Sequence, residues 1–385
     1  MYARIYRAPY YYMQKFNFLH TVVIPAYNVC RGIIMKISVC LIVKNEESVI
    51  GRCLKSVIPF ADEIIVVDTG SGDKTKEIAS KFTDKIYDFK WNDDFSAARN
   101  YAFSNASCNY LFWIDADDVI SEENARKIIE IKNNKPCFDT YMFRYAIAFD
   151  KNGNATFEYY RERLMKNCSL AKFSGFIHEA VVPFGRITYG DVTVEHRKIK
   201  SGDPLRNLKI YEKHLAEGEK LNGREQYYYS KELFYNGRYD EAKTGLIKFI
   251  YGKTRYLPDV KDAYKTVYKC DKSLGIITDE KFLAEAIAVT GADAELFCYL
   301  GDVKTKKRDM KNASAFYKCA LCADKPLPQD GFYEAKFYYL EPLLRLVSAY
   351  YNAGDIETAE KYHEICLEKY PSSEEVTYNS KFFRR

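Results

Sequence analysis

No apolar run in this chain approaches the ~18 residues that a membrane-spanning helix requires. The longest candidates, Ile37–Val43 and Ile64–Val67, have the length of strands, so membrane contact is expected to be peripheral at most. A strong charge of one sign is missing too. The 58 Lys and Arg against 53 Asp and Glu leave +5 over 385 residues, too mild a balance to point to nucleic acid. Acids are absent from the first 36 residues, which hold Arg4, Arg7, Lys15, Arg31 and Lys36, so the remainder is formally neutral. That segment also lacks the clean apolar stretch of ~7–15 residues found in a secretory signal, because His20 and Pro25 interrupt it. It reads as an N-terminal extension, with Met35 as an alternative start to Met1. A second CxxC is absent as well: Cys319-Ala-Leu-Cys322 stands alone, and one pair makes no zinc site. The 11 cysteines are scattered, several inside apolar runs, a pattern of buried reduced thiols in a cytoplasmic protein. The CxxC pair is expected to pack in a core.

What is present is 47% hydrophobic and 29% charged, the make-up of an ordinary globular chain of two or three domains. Between Ile37 and Lys200, strand-like and helix-like segments alternate, as in an α/β sheet. Ile37–Val43 is an apolar strand, followed by a helical pattern at Val49, Ile50, Cys53, Leu54 and Val57. Glu63–Asp68 is a second buried strand, and Thr75–Phe82 a short helix with Asp73 as its N-cap. Lys85–Asp88 reads as a strand, Ala97–Ser104 as a helix and Tyr110–Asp115 as a buried strand. Tyr141–Phe149 and Thr156–Met165 flank Lys151-Asn-Gly-Asn154, a hairpin signal, so the sheet begins parallel and ends mixed. After Gly202-Asp-Pro204 the pattern is helical to the end. Three segments there resemble tetratricopeptide repeats: Phe234–Ala242, Tyr299–Gly301 running to Met310–Ala313, and Ala349–Ala359. Ala242 and Ala313 are 71 residues apart, about two ~34-residue periods, which leaves room for one divergent repeat. The expected layout is therefore 1–36 extension, 37–200 α/β domain and 201–385 helical repeats.

The chemistry lies in carboxylates at strand ends, where ligands of open α/β sheets sit. Asn45-Glu46-Glu47 follows the first strand, Asp68 the second, and Asp115-Ala116-Asp117-Asp118 a later one. Such acids would repel a bare phosphate but suit a divalent cation lying between carboxylates and phosphates. Asp68 has a further use open to it, as a hydrogen-bond acceptor for a nucleoside.

Four runs in order, Leu41–Glu47, Ile65–Asp73, Phe95–Asn100 and Phe112–Asp118, resemble the nucleotide-sugar half of family 2 glycosyltransferases, which have the GT-A fold. The resemblance implies a GT-A Rossmann-like mixed sheet followed by the all-α repeat domain. It implies that Asp68 contacts uridine, that Asp115 and Asp117 contact ribose and a diphosphate-bound Mg²⁺ or Mn²⁺, and that Arg99 lies near the nucleotide. Asn45 and Glu46 fall in the first nucleotide-binding run. An earlier string, Thr21–Asn28, looks similar, yet Asn28 is 40 residues from Asp68 whereas Asn45 is 23, the span of one compact β-α-β unit. Arg161-Glu-Arg163 and Phe173–Glu179 resemble an acceptor segment, making Glu179 the candidate base. His196 matches a histidine that completes the metal sphere in relatives.

A compact transferase domain joined to repeat helices resembles bacterial peptide S-/O-glycosyltransferases of the sublancin type. The implied reaction is inverting transfer from a UDP-sugar to a peptide Cys, Ser or Thr. Two alternatives stay open: a cell-envelope glycan acceptor, or an inactive domain on a protein-binding scaffold. The Tyr-rich helices (Tyr227–Tyr229, Phe337–Tyr339, Tyr350-Tyr351) would line a groove, form a homodimer contact or fill helix–helix cores. A nucleotidyltransferase is disfavoured, because Leu41–Glu47 contains no glycine for a phosphate loop.

Overall fold

A computed structural model describes residues 34–134, 137–149, 153, 155–199, 203–253, 256–326 and 333–383. Nearly all of the basic N-terminal segment, the Thr21–Asn28 string and most of the Lys151–Asn154 turn lie outside the described residues.

Strands β1 (Ile37–Val43), β2 (Glu63–Asp68) and β4 (Tyr110–Trp113) are largely apolar and buried because both faces of the sheet are covered. Their side chains alternate between two cores. Ile37, Val39, Leu41 and Val43 pack on α1 (Ile50–Val57) and α4 (Glu122–Asn133). Cys40, Ile65, Val67, Leu111 and Trp113 pack on Ala102 and Phe103 of α3 (Phe95–Ser104). The short pieces are α2 (Thr75–Ala79), β3 (Ile86–Asp88) and β5 (Asp118–Val119). Long strands β6 (Thr140–Phe149), β7 (Ala155–Lys166) and β10 (Ile187–His196) complete one eight-stranded sheet, ordered β3-β2-β1-β4-β7-β6-β10-β5. The pairs β1–β2, β1–β4 and β2–β3 are parallel, whereas β4–β7, β6–β7 and β10–β5 are antiparallel. A two-stranded ribbon, β8 (Phe173–Ser174) and β9 (Ala180–Val181), stands apart. The mixed sheet, strands β1 to β4 and the β6–β7 pair follow the sequence pattern, whereas β5 and the long β10 were not read from it.

Two local expectations need correction. The helix after β2 ends at Ala79 rather than Phe82, and Lys74, not Asp73, occupies its N-cap. Asp73 is drawn into the neighbouring loop instead: its carboxylate accepts from the Thr75 N–H at 3.0 Å and the Glu47 N–H at 3.2 Å. The cysteine reading holds for Cys40, Cys53, Cys270, Cys298 and Cys366, which are buried and free, but Cys168, Cys319 and Cys322 are exposed. Cys319 and Cys322 close the outer side of a helix whose inner side is Ala313, Tyr317 and Ala320, so the CxxC pair packs in no core.

Beyond residue 205 the chain is helical: α5 (Arg206–Ala216), α6 (Gly223–Tyr235), α7 (Tyr239–Ile250), α8 (Leu257–Ser273), α9 (Glu280–Thr290), α10 (Ala294–Lys306), α11 (Met310–Leu321), α12 (Leu340–Asn352), α13 (Ile356–Lys369) and α14 (Glu374–Phe383). The three repeat-like segments fall on the α6–α7, α10–α11 and α12–α13 hairpins, and α8 and α9 fill the interval left for a divergent pair. Small residues let the paired helices approach. A Cβ on Gly245 would lie 2.2 Å from Ser230 Oγ, and one on Gly301 2.2 Å from the Tyr317 ring. Ala242, Ala313 and Ala359 are fully buried. Most of the Tyr-rich stretches fill these contacts. Tyr227 is buried with its hydroxyl donating to Asp262 at 2.7 Å, and Tyr350 stacks on Tyr362, while Tyr339 and Tyr351 stay exposed. No described helix is long and apolar enough to cross a membrane.

One buried acid gives a test of this helical packing. Asp259, in the first turn of α8, is 6% exposed. Burial pushes its carboxyl up to about 6, with Arg224 only partly offsetting it. A carboxyl raised in the folded state holds its proton more tightly there than in the unfolded chain. Its effect is therefore neutral below about pH 4 and increasingly destabilising as pH rises through 6. Asp259→Asn is expected to stabilise the protein by on the order of 2 kcal/mol at pH 7.5. The gain should vanish near pH 4. Denaturant melts at the two pH values check this, and an equal effect at both would refute it.

Candidate active site at the carboxyl edge of the sheet

Because β1 lies between two parallel neighbours, with Val43 opposite Asp68 and Cys40 opposite Trp113, the loops after β2, β1 and β4 emerge side by side. This is the edge at which open α/β sheets bind ligands. The first two loops are knitted together. Asn45, at φ 56°, accepts from the Gly72 N–H at 2.8 Å with its side-chain oxygen, and its own N–H donates to Ser71 Oγ at 2.9 Å. The Glu46 N–H donates to Thr75 Oγ1 at 2.7 Å. Asn45 and Glu46 thus sit at the expected edge, where their polar groups shape the loop that carries Asp68.

Asp68 itself is 2% exposed. Its Oδ1 accepts from the N–H groups of Gly70 and Ser71, at 2.9 and 2.8 Å. Its Oδ2 is buried and has no hydrogen-bond partner among the described residues. A buried carboxylate oxygen without a donor costs free energy unless a ligand supplies one, so this orphan fits a donor group such as a nucleoside.

The third loop holds the acids in two sets. Asp115 belongs to an ion-pair chain: Arg99 donates from Nη2 to Asp115 Oδ1 and from Nε to Glu179 Oε1, each at 2.6 Å. The Arg99 guanidinium is buried, 4.7 Å from the Trp113 ring centre. Burial alone would raise the Asp115 carboxyl, but Arg99 and Arg163 more than offset it and hold it well below the usual carboxylate range. The second set joins Asp117, Asp118 and His196, each offering a ligand atom within 4.8 Å of the others. Strand pairing builds it, since His196 lies opposite Asp118 in the β10–β5 ladder. His196 Nδ1 is 3.2 Å from Asp118 Oδ1 and 3.4 Å from Asp117 Oδ1. The hydrogen bond to Asp118 raises the imidazole against the effect of burial, and the charge of Asp117 adds to it. Burial pushes the Asp117 carboxyl up, opposed by His196 and reinforced by Asp115 and Asp118. Two carboxylates crowded on one imidazole are relieved by a cation, and oxygen-rich donors of this kind suit Mg²⁺ or Mn²⁺.

The meeting of Asp118, Arg163 and Tyr145 escaped the sequence reading, which had Asp118 only in the acid run and Arg163 only beside the acceptor segment. Asp118 is fully buried, its Oδ2 paired with the Nη2 of an equally buried Arg163 at 3.1 Å. Its Oδ1 accepts from the Tyr145 hydroxyl at 3.0 Å. Arg163 also lies 3.8 Å from the Trp113 ring and 4.3 Å from that of Tyr145. The available signal was an arginine immediately before Leu164-Met165, in the buried final part of β7, where a lone charge requires a partner. Glu179 ends the loop before β9 and has an 11% exposed side chain. The structure therefore brings Asp115, Arg99 and Glu179 into one chain of contacts, Asp117 and His196 into a second, and places Asp68 two strands away on the same edge.

Residues 38–187 match the family model described as glycosyl transferase family 2. A TPR repeat-containing protein of Synechococcus elongatus is 45% identical over 83 residues, which span 22% of this chain and 21% of that one. The SPbeta prophage-derived glycosyltransferase SunS of Bacillus subtilis is 29% identical over 223 residues, 54% of this chain and 52% of that one. Both relatives are thus matched over about half their length or less. Among solved structures, S. aureus TarS 1-349 overlaps 71% of this chain and 92% of that chain, at 16% identity and a TM-score of 0.32. The loop motifs at the carboxyl edge all lie within residues 38–187, the stretch that matches the glycosyl transferase family 2 model.

Proposed function

We propose that the chain transfers a sugar, with inversion, from a UDP-linked donor to a nucleophile on a peptide or a cell-envelope glycan. The observation that carries this reading is the unpartnered, buried Asp68 Oδ2 sharing one sheet edge with the Asp117–Asp118–His196 cluster. Asp68 would accept from the nucleoside, and Asp115, fixed by Arg99, would accept from the ribose. Asp117 and His196, with Asp118 orienting the imidazole, would hold Mg²⁺ or Mn²⁺. When bound, such a cation neutralises charge building on a departing diphosphate. Glu179 would take the acceptor's proton on the carboxylate oxygen that Arg99 does not hold. As the acceptor's O–H or S–H bond breaks, its lone pair forms the new bond to the sugar and the sugar–phosphate bond releases its pair to the nucleoside diphosphate. The resemblance to sublancin-type peptide transferases drawn from the sequence favours a peptide acceptor, with the helical hairpins as its docking region.

The test is a screen of nucleotide sugars for release of nucleoside diphosphate with Mn²⁺ present. Absence of release or binding for every donor would remove the reading. Glu179→Gln is expected to keep the donor affinity of the parent and lose transfer by ~10²–10⁴-fold, the range of a positioned base. Full transfer by this variant would take Glu179 out of that role.

A further inference from the structure

Glu179 sits on a loop held from one side by Arg99 and by Arg161 of β7, whose Nη2 donates to the Glu179 carbonyl at 3.4 Å, and from the other by the helical region. Its neighbour His178 leaves the backbone on the other side and stacks on Tyr228 of α6, with ring centres 4.3 Å apart and planes at 17°. His178 Nε2 lies 2.9 Å from Glu232 Oε1, one turn further along the same helix. The same oxygen accepts from Asn207 Nδ2 of α5 at 2.9 Å, and Arg224 Nη2 donates to the His178 carbonyl at 3.4 Å. Two residues earlier, Phe176 stacks on His214 of α5, with centres 4.1 Å apart, and packs edge-on to Tyr211. The Phe176 carbonyl accepts from the Phe95 N–H at the start of α3 at 2.9 Å.

Two features show that this grip is demanding. His178 has φ 51°, a left-handed conformation that a residue with a Cβ keeps only when its surroundings over-determine it. Glu232 is a 7% exposed carboxylate. Burial would raise it, but the hydrogen bonds from His178 and Asn207 hold it below the usual range. Neither arrangement is needed to pack the helices on one another. Both make sense if the next residue must be presented to Arg99 at a fixed position.

Given the transfer function proposed above, we infer that Tyr228 and Glu232 are positioning residues, through which the helical region sets the placement of Glu179. The family 2 domain is then incomplete as a transferase without α5 and α6, and anything that shifts α6 shifts the acceptor side of the site. Of the donor-side acids, Asp68 and Asp117 make no contact with this grip among the described residues, and Asp115 shares Arg99 with Glu179 but keeps its own hydrogen bond to the guanidinium.

The full chain carries the test, with Tyr228→Ala, Glu232→Ala and the conservative Tyr228→Phe. Both alanine variants should lower kcat for transfer by about tenfold or more with the donor KM unchanged. Amide hydrogen exchange over 173–181 should accelerate by a similar factor, while peptides from β1 and α10 exchange as in the parent. Tyr228→Phe keeps the stacking ring and should restore both values. Unchanged exchange over 173–181 in both alanine variants would overturn the inference. So would acceleration spread equally over β1, which would mark a merely structural role. If the parent turned over no nucleotide sugar, the transfer reading would fall, and the exchange comparison would still decide whether α6 sets this loop.

Discussion

Asp117→Asn is expected to reduce nucleoside diphosphate release by ~10²–10³-fold, the scale on which single electrostatic contributors to a developing anion operate. The substitution is isosteric and the side chain is 19% exposed, so the fold should survive. What changes is charge. Asp117 is the more accessible of the two carboxylates beside His196, since Asp118 is committed to Arg163 and Tyr145. The amide would offer a cation one weak oxygen in place of a carboxylate. Calorimetric titration with Mn²⁺ should therefore show weakened binding alongside the lost release. Parent-level release by Asp117→Asn would remove this residue from the donor site and leave the edge without its metal.

The largest effect on stability is expected from Arg163→Met. Arg163 and Asp118 are both fully buried, and the methionine would leave Asp118 charged, enclosed and without its cation. Breaking such a pair from one side costs about 3–5 kcal/mol, because the remaining charge loses its compensation while its desolvation persists. The Met side chain would fill part of the space between Trp113 and Tyr145, so lost packing is a minor part of the effect. Denaturant unfolding should show the loss, and Asp118→Asn in the same background should recover much of it by removing the stranded charge. An unchanged midpoint for Arg163→Met would mean that the ion pair contributes nothing net.

These two residues also mark how far the sequence was readable. Asp68 and Asp115 could be placed because β2 and β4 are uninterrupted apolar strands, and the chemistry of a parallel sheet lies where such strands stop. The first loop was legible for the same reason, although Asn45 turned out to spend its side chain on the Gly72 N–H. Asp118, Arg163 and Tyr145 were not legible. Their meeting depends on β4 pairing with β7 and β5 with β10, and antiparallel partners chosen across long intervals leave no local periodicity to read. The contact of His178 with Tyr228 and Glu232 was hidden more deeply, since it depends on how the helical region is seated. Within that region, Gly301 and the alanines Ala242, Ala313 and Ala359 announced the hairpins, because close helix approach permits few residue types.

The β10–β5 pairing has a consequence for the order in which the molecule comes into being. His196 reaches Asp118 across 78 residues of chain, and Arg163 across 45. During synthesis Arg99 emerges before the acids of the third loop and can meet Asp115, whereas Arg163 and His196, the partners of Asp118, arrive later. Until Ile187–His196 docks beside β6, that strand's edge is open and the imidazole is absent from the cluster. A nascent chain ending short of this strand therefore has the sheet's interior but lacks the Asp117–Asp118–His196 cluster. The last strand added is the one that completes the acid edge.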